Sequence, residues 1–409
     1  MSTLDEVKGL VENPPKEYRS APFWGWNDRL QKENLGEQIE GFKKAGMGGF
    51  FIHSREGLET EYLSTEWMED VKFCVDKARE NDLELWIYDE DKWPSGAAGG
   101  KVSRVNPAEF TARALTMECG KAGELAVPAK LSNEEERTVT GDSDSIMCGG
   151  NRSTDENFMS GRNGSEDLAV EETMETEFLQ GVYVIQTAAD GRFIKRMKEY
   201  LTYEEAAGAC GVDEEILLLR QEISGKSEWY NGLMPPDNLN PESVKTFLKL
   251  THEHYEEVFG GSFPKEVKGF FTDEPNCCDF FSVFHEGRPW IPWSIGFTEY
   301  FIEKRGYDPQ EKLPYLFFDG EGAEKIRHDY WKTVAQRFEE SYMKQVYEWC
   351  DKRGLRTTGH ILYENDLGYQ TRVCGAAMPQ LRYLHNPGID LLGAQTDEYL
   401  TVKQCASVA

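Results

Sequence analysis

The sequence predicts an α/β fold in which a parallel sheet is covered on its faces and carries a polar site along one edge. Three observations support this: short continuous apolar runs that read as buried strands, amphipathic helical segments between them, and polar residues ending each run.

Ala21-Pro22-Phe23-Trp24-Gly25-Trp26 is the first strand, ending at Asn27-Asp28. Leu35, Ile39 and Phe42 then recur at helical spacing, with Gly46 as a C-terminal stop. Gly49-Phe50-Phe51-Ile52 is the second strand and ends at His53-Ser54-Arg55. Ser64 can cap a helix with Trp67, Val71, Cys74, Val75 and Ala78 on one face. Leu85-Trp86-Ile87-Tyr88 is the third strand, ending at Asp89-Glu90-Asp91.

The rhythm breaks near residue 119. Between Lys121 and Asn157 there is no aromatic residue, and such a polar stretch cannot offset its chain entropy by burial. The segment 120–178 is therefore expected to be mobile or loosely folded. Gly181-Val182-Tyr183-Val184-Ile185 and Gly191-Arg192-Phe193-Ile194 read as a small β element closing it. The sequons at Asn151 and Asn163 read as chance matches, because the start at Met1 lacks an apolar signal core.

Alternation resumes near Trp229, with a weak strand at Trp229–Leu233. Asn240-Pro241-Glu242 is a helix start, followed by Val244, Phe247, Leu248, Thr251, Tyr255 and Val258 on one face. Val267-Lys268-Gly269-Phe270-Phe271 is a buried strand that stops at Thr272-Asp273-Glu274-Pro275. A helix is expected over Ala323–Arg353, strands over Arg356–Ile361 and Ile389–Leu392, and a last helix at Cys405–Ala409. These strands total about seven, one short of a closed eight-stranded TIM-like barrel. The expected organisation is barrel over 1–119, an acidic insertion over 120–225, and the remaining barrel over 226–409, incomplete at its end.

Composition narrows the function. Lys and Arg number 45 against 73 Asp and Glu, a net charge of −28, which opposes nucleic acid and anionic membranes as partners. No run approaches the roughly 18 apolar residues of a membrane span. Nine cysteines without paired CxxC spacing point to reduced thiols and a cytoplasmic setting. No motif speaks to oligomeric state.

Every readable strand ends in polar residues: Asn27; His53 and Arg55; Asp89 and Glu90; Asp273 and Glu274; His360, Tyr363 and Glu364. In a parallel barrel these ends share one rim. Trp24, Trp26, Trp93 and Trp229 read either as packing at the barrel mouth or as stacking surfaces for a sugar ring. Glycoside hydrolysis needs two carboxyl groups flanking the bond. Glu274, rigidly placed beyond an aromatic strand, is the candidate general acid, and Glu364 a second catalytic candidate. Asp273, on the opposite side of the strand, would orient its neighbours. His252-Glu253-His254 reads as two surface histidines rather than a metal pair. Asp89-Glu90-Asp91 reads as a salt-bridged rim, with a hard cation as the alternative. Ser95-Gly96-Ala97-Ala98-Gly99-Gly100 lacks the ending of a phosphate loop.

Together these segments resemble the α-L-rhamnosidase family 106 of glycoside hydrolases. The matching pieces are Pro22–Asn27, Gly48–Arg55, Trp86–Gly96, Phe271–Pro275 and Gly359–Glu364. The resemblance implies a (β/α)₈ catalytic domain that cleaves a terminal sugar with inversion, with a calcium ion near that sugar and no other cofactor. It supports Glu274 as acid, and Trp24, Trp26, Asn27, His53, Arg55, Asp89, Glu90, Trp93, Asp273, His360 and Tyr363 as substrate-binding residues. It also implies a second carboxylate in a Ser-Glu setting on a last strand, expected beyond residue 409 in a longer enzyme. Met234-Pro235-Pro236-Asp237 departs from the family, which has an apolar strand there; the fourth strand is expected to be short or displaced. The competing readings are a non-catalytic carbohydrate-binding or degenerate barrel, and a metal-dependent hydrolase.

Overall fold

The computed structural model describes residues 4–125, 177–277, 288–391 and 398–409. Both sequons and most of the stretch expected to be mobile lie outside these residues. Of the strand expected at Ile389–Leu392, Leu392 also lies outside; the strand of this stretch is Asn386–Pro387, and Ile389–Leu391 are not part of it.

The strands in chain order are β1 (Phe23–Trp26), β2 (Gly49–Ser54), β3 (Glu84–Tyr88), β4 (Arg113–Gly120), β5 (Glu177–Thr187), β6 (Ile194–Tyr200), β7 (Glu215–Ile223), β8 (Val267–Asp273), β9 (Trp290–Trp293), β10 (Arg356–His360) and β11 (Asn386–Pro387). The chain divides into two compact units. One comprises Met1–Ala112, Gly225–Val283 and Trp331–Ala409; the other comprises Arg113–Ser224 and Phe284–Tyr330.

The first unit is built on a six-stranded sheet in the order β1-β2-β3-β8-β10-β11, and every pair in it is parallel. Among the described residues the sheet is open, with β1 and β11 as its edges, where a nearly complete barrel was expected. The weak strand expected at Trp229–Leu233 is a turn instead. Ser227 caps a short 3₁₀ segment over Glu228–Tyr230, and Asn231 and Gly232 follow at φ 58° and 77°. Pro235 and Pro236 carry no N–H for a ladder. That stretch is held instead by Ala112 N–H donating to the Pro235 carbonyl at 3.0 Å.

Strand alternation sends Trp24, Trp26, Phe50, Ile52, Leu85, Ile87 and Phe270 to one face, where all are buried. Helices cover that face. Ser64 Oγ accepts from Trp67 N–H at 3.2 Å and starts helix Thr65–Glu80, whose Trp67, Val71, Cys74, Val75 and Ala78 are buried. The ring of Trp26 meets Trp67 at 5.1 Å and that of Trp24 meets Phe42 at 5.5 Å. These two tryptophans are therefore core, not a sugar platform at the rim.

The pair at His252 and His254 is also corrected. A π-turn over Lys249–Glu253 interrupts the helical phase and rotates His252 inward. Its ring stacks on Phe270 at 4.1 Å, and burial, aided by Arg353, lowers its pKa to about 3.

The second unit is a five-stranded antiparallel sheet in the order β6-β5-β7-β4-β9. Leu179, Val184, Ile216 and Leu218 form its core with Ala206. The β element read at 181–194 is the β5–β6 part of this sheet, and β9 joins it by pairing with β4.

Candidate active site

Because β1, β2, β3, β8 and β10 are parallel, their C-terminal ends lie along one edge of the sheet. The face away from the helices is aromatic in its lower half: Phe23 meets Phe271 at 4.8 Å, and Phe51 stacks on Trp86 at 5.4 Å. Above this floor the same face carries His53, Tyr88, Asp273 and His360.

These four residues form a connected set. Asp273 Oδ1 accepts from His360 Nε2 at 2.7 Å, and Asp273 Oδ2 accepts from the Tyr88 hydroxyl at 2.7 Å. The His53 ring packs against Tyr88 at 3.8 Å, and among the described residues its Nε2 has no hydrogen-bond partner. His360 Nδ1 lies 3.5 Å from Glu364 Oε2. Burial disfavours the His360 cation, yet its bond to Asp273 and the nearby Glu364 carboxylate raise its pKa well above the ordinary imidazole value. Burial likewise opposes the Asp273 charge, and the bonds from His360 and Tyr88 outweigh it, leaving its pKa below the usual value. His53 behaves oppositely: burial and then Arg55 push its pKa down to about 4, against the pull of Asp273. The site therefore holds an imidazolium–carboxylate pair beside a neutral imidazole.

Glu274 follows Asp273 with φ at 48°, a left-handed conformation that costs a non-glycine residue about 1–3 kcal/mol. Tyr363, after β10, is held the same way at φ 53°. Burial, with help from Asp273, raises the Glu274 pKa to about 7, while His360 restrains the rise. The half-buried Asp390 completes the group. Its pKa is raised by burial, and its ligand oxygen lies within 4.8 Å of ligand atoms on Glu274 and His360.

Other expected site residues have different work. Glu364 is buried, and its carboxylate accepts the backbone N–H groups of Ile361 and Asp390. It thus ties the end of β10 to the segment bearing Asp390 and does not present a free oxygen for catalysis. Asp89 is fully buried and accepts from Ser95 Oγ at 2.6 Å. Glu90 accepts N–H bonds from Asp91, Gly96, Ala97, Ala98 and Gly99, at distances from 2.5 to 3.1 Å. The glycine-rich loop is thus an anion nest occupied by the chain's own carboxylate. Asp89 and Glu90 hold that loop rather than touch a ligand, and the expected salt-bridged rim is a set of backbone hydrogen bonds. Asn27 and Arg55 are exposed, and Trp93 and Tyr363 half-buried, at the strand ends.

The residues do not fit the calcium that the resemblance implies. Calcium takes about six to eight oxygen ligands. The Asp89–Asp91 stretch is lined by N–H donors around Glu90, and the Glu274–His360–Asp390 group contributes an imidazole whose nitrogens both face carboxylates.

Sequence reasoning missed Tyr88, Ser95 and Asp390 as parts of the site. Asp390 carried a signal, an acid within an apolar run. Ser95 carried none: its Oγ accepts from Asp273 N–H at 2.8 Å only because the loop after β3 folds back onto β8.

Fold and site define an α/β protein with an acid–imidazole cluster at the C-terminal edge of a parallel sheet. No family model matches the chain, and no curated protein matches it. Among solved structures it is similar to a rhamnosidase from Novosphingobium sp. PP1Y, with a TM-score of 0.58 and 14% identity. The similarity covers 98% of this chain and 52% of that one, so the chain spans about half the length of this neighbour. The likeness shows a rhamnosidase-like fold.

Proposed function

We propose that this protein is a glycoside hydrolase that releases a terminal α-L-rhamnose-like sugar by acid–base catalysis, with Glu274 as general acid. The observation that carries this reading is the half-buried Glu274 carboxyl, its pKa raised to about 7, beside the Asp273–His360 pair. An acid partly protonated at neutral pH can deliver its proton to a departing glycosidic oxygen.

The neighbours suit that role. Asp273 cannot compete as the acid, because His360 and Tyr88 hold it ionised. Neutral His53 offers an unpartnered Nε2 to a sugar hydroxyl, and Tyr363 stands near enough to Glu274 to sense its charge. The rhamnosidase-like fold supports the choice of sugar. We further propose that the sheet belongs to a barrel and that the reaction inverts, as the family resemblance implies. A cytoplasmic setting agrees with the free thiols of the seven described cysteines.

The test is Glu274→Gln, assayed on a rhamnosyl disaccharide. Loss of turnover by about 10²-fold or more is expected. Near wild-type turnover would sink the assignment, and wild-type protein that binds saccharide without cleaving it would favour the binding-barrel reading.

A further inference from the structure

We propose that the loops after β2 and β3 form a second subsite, which accepts the negatively charged group of an acidic sugar next to the sugar that is cleaved. The proposal rests on the reading of the neighbouring site as a glycosidase. It adds a ligand class that the acid cluster alone would reject.

The subsite is a ladder of two tryptophan rings flanked by two cations. The Arg55 guanidinium stands 5.2 Å from the centre of the Trp93 ring. Trp93 meets Trp229 at 4.7 Å with the rings at 77°. Lys92 Nζ lies 5.4 Å from the Trp229 ring, and Trp229 Nε1 donates to the Trp93 carbonyl. Stacking holds both cations in defined places, which an ordinary solvated surface Arg or Lys is not.

Among the described residues neither cation is paired with a carboxylate; Lys92 donates to the neutral Asn231 Oδ1 at 3.3 Å. This is notable in a chain with 73 acidic and 45 basic residues. The nearby acids are already satisfied. Asp91 accepts from Ser54 Oγ at 2.8 Å and from Asn231 Nδ2 at 2.9 Å, and Glu90 sits in its nest of amides.

The ladder adjoins the acid cluster. Ser95, two residues past Trp93, accepts from Asp273 N–H, and Arg55 lies two residues past His53. A Cβ at Gly25, the register partner of His53, would come within 3.2 Å of Arg55 Cγ. The glycine of Trp24-Gly25-Trp26 therefore leaves a lane for the Arg55 stem across the face that carries the site. Asp273, Glu364 and Asp390 around one imidazolium repel an anion from the position of cleavage. An anionic group is welcome only at the ladder, so a substrate that fits both places has a neutral sugar attached to an acidic one.

The shared chemistry is a carboxylate or a sulfate ester on a pyranose ring, and equilibrium binding separates them. Methyl glucuronide, a 6-sulfated methyl glucoside and neutral methyl glucoside are titrated into the wild-type protein. At least one anionic ligand is expected to bind about 10-fold or more tightly than the neutral one, and the better of the two names the group. Raising the salt concentration should narrow the ratio, as should Arg55→Gln and Lys92→Gln. Equal binding of charged and neutral ligands, no binding of either, or a ratio untouched by salt and by both substitutions would overturn the proposal. The glycosidase reading fails separately. Protein that binds the uronide but cleaves neither neutral nor acidic rhamnosides keeps the subsite and loses the activity; cleavage of both with no preference does the reverse.

Discussion

Asp273 and His360 are register partners on β8 and β10, and their side chains close that pairing with a hydrogen bond of 2.7 Å. One sheet position thus fixes two charges, which act in opposite senses on a Glu274 carboxyl that burial already pushes up.

Removing the imidazolium should destabilise the fold. His360→Gln leaves a buried Asp273 without its main partner, a loss of about 3–5 kcal/mol at pH 6–7, read by denaturant unfolding. The pH dependence follows from the two shifts. Asp273, depressed below its ordinary 3.8, contributes stability above that value and loses it as pH falls through its lower folded pKa. His360, raised above 6.5, contributes fully below 6.5 and loses its contribution as pH rises through its folded pKa. The gap between wild type and variant should therefore be widest between pH 3.8 and 6.5, and shrink both in strong acid and as pH rises through the folded His360 pKa.

Glu274 should impose the basic limb of the rate profile. The acid is protonated below about 7, so kcat/KM should fall as pH rises through that value. His360 holds the Glu274 pKa down, so in whatever His360→Gln protein remains folded the limb should move to higher pH. A limb that stays in place would remove His360 from the electrostatics of the acid.

Glu364→Gln should act through position. One carboxylate oxygen becomes an amide N–H facing a backbone donor at Ile361 or Asp390. A loss of about 1–3 kcal/mol in stability is expected, with turnover lowered about 10- to 100-fold and the shape of the pH profile retained. A vanished limb in the profile would instead give Glu364 a proton-transfer role.

Trp26→Ala should affect the core and not the ligand. Trp26 is 2% exposed and packs on Trp24 and Trp67, so truncation should cost about 3–5 kcal/mol, seen as a lowered melting temperature. Sugar affinity of the protein that remains folded should be unchanged. A selective loss of affinity would return Trp26 to the site.

Much of the local structure was legible in the chain. The Ser64 and Asn240 caps, the apolar runs of β2, β3 and β8, and the acids at their ends are nearest-neighbour patterns, and local sequence carries them. The roles of the site residues were less legible. Trp24 and Gly25 are neighbours, yet alternation places one in the core and the other beneath Arg55. Glu90 reads as one of three rim acids until the loop at Gly96–Gly99 is seen folded around it.

The sequence alone determined a parallel α/β unit with polar, carboxylate-bearing strand ends, because strand period, helix capping and burial of apolar runs are local. Tertiary structure decided which ends meet, that the sheet is open among the described residues, and which carboxylates face the site or turn back onto backbone amides. The physical reason is that pKa and hydrogen-bond satisfaction depend on groups far apart in the chain. Asp273 and His360 are 2.7 Å apart only because β8 and β10 are neighbours in the sheet.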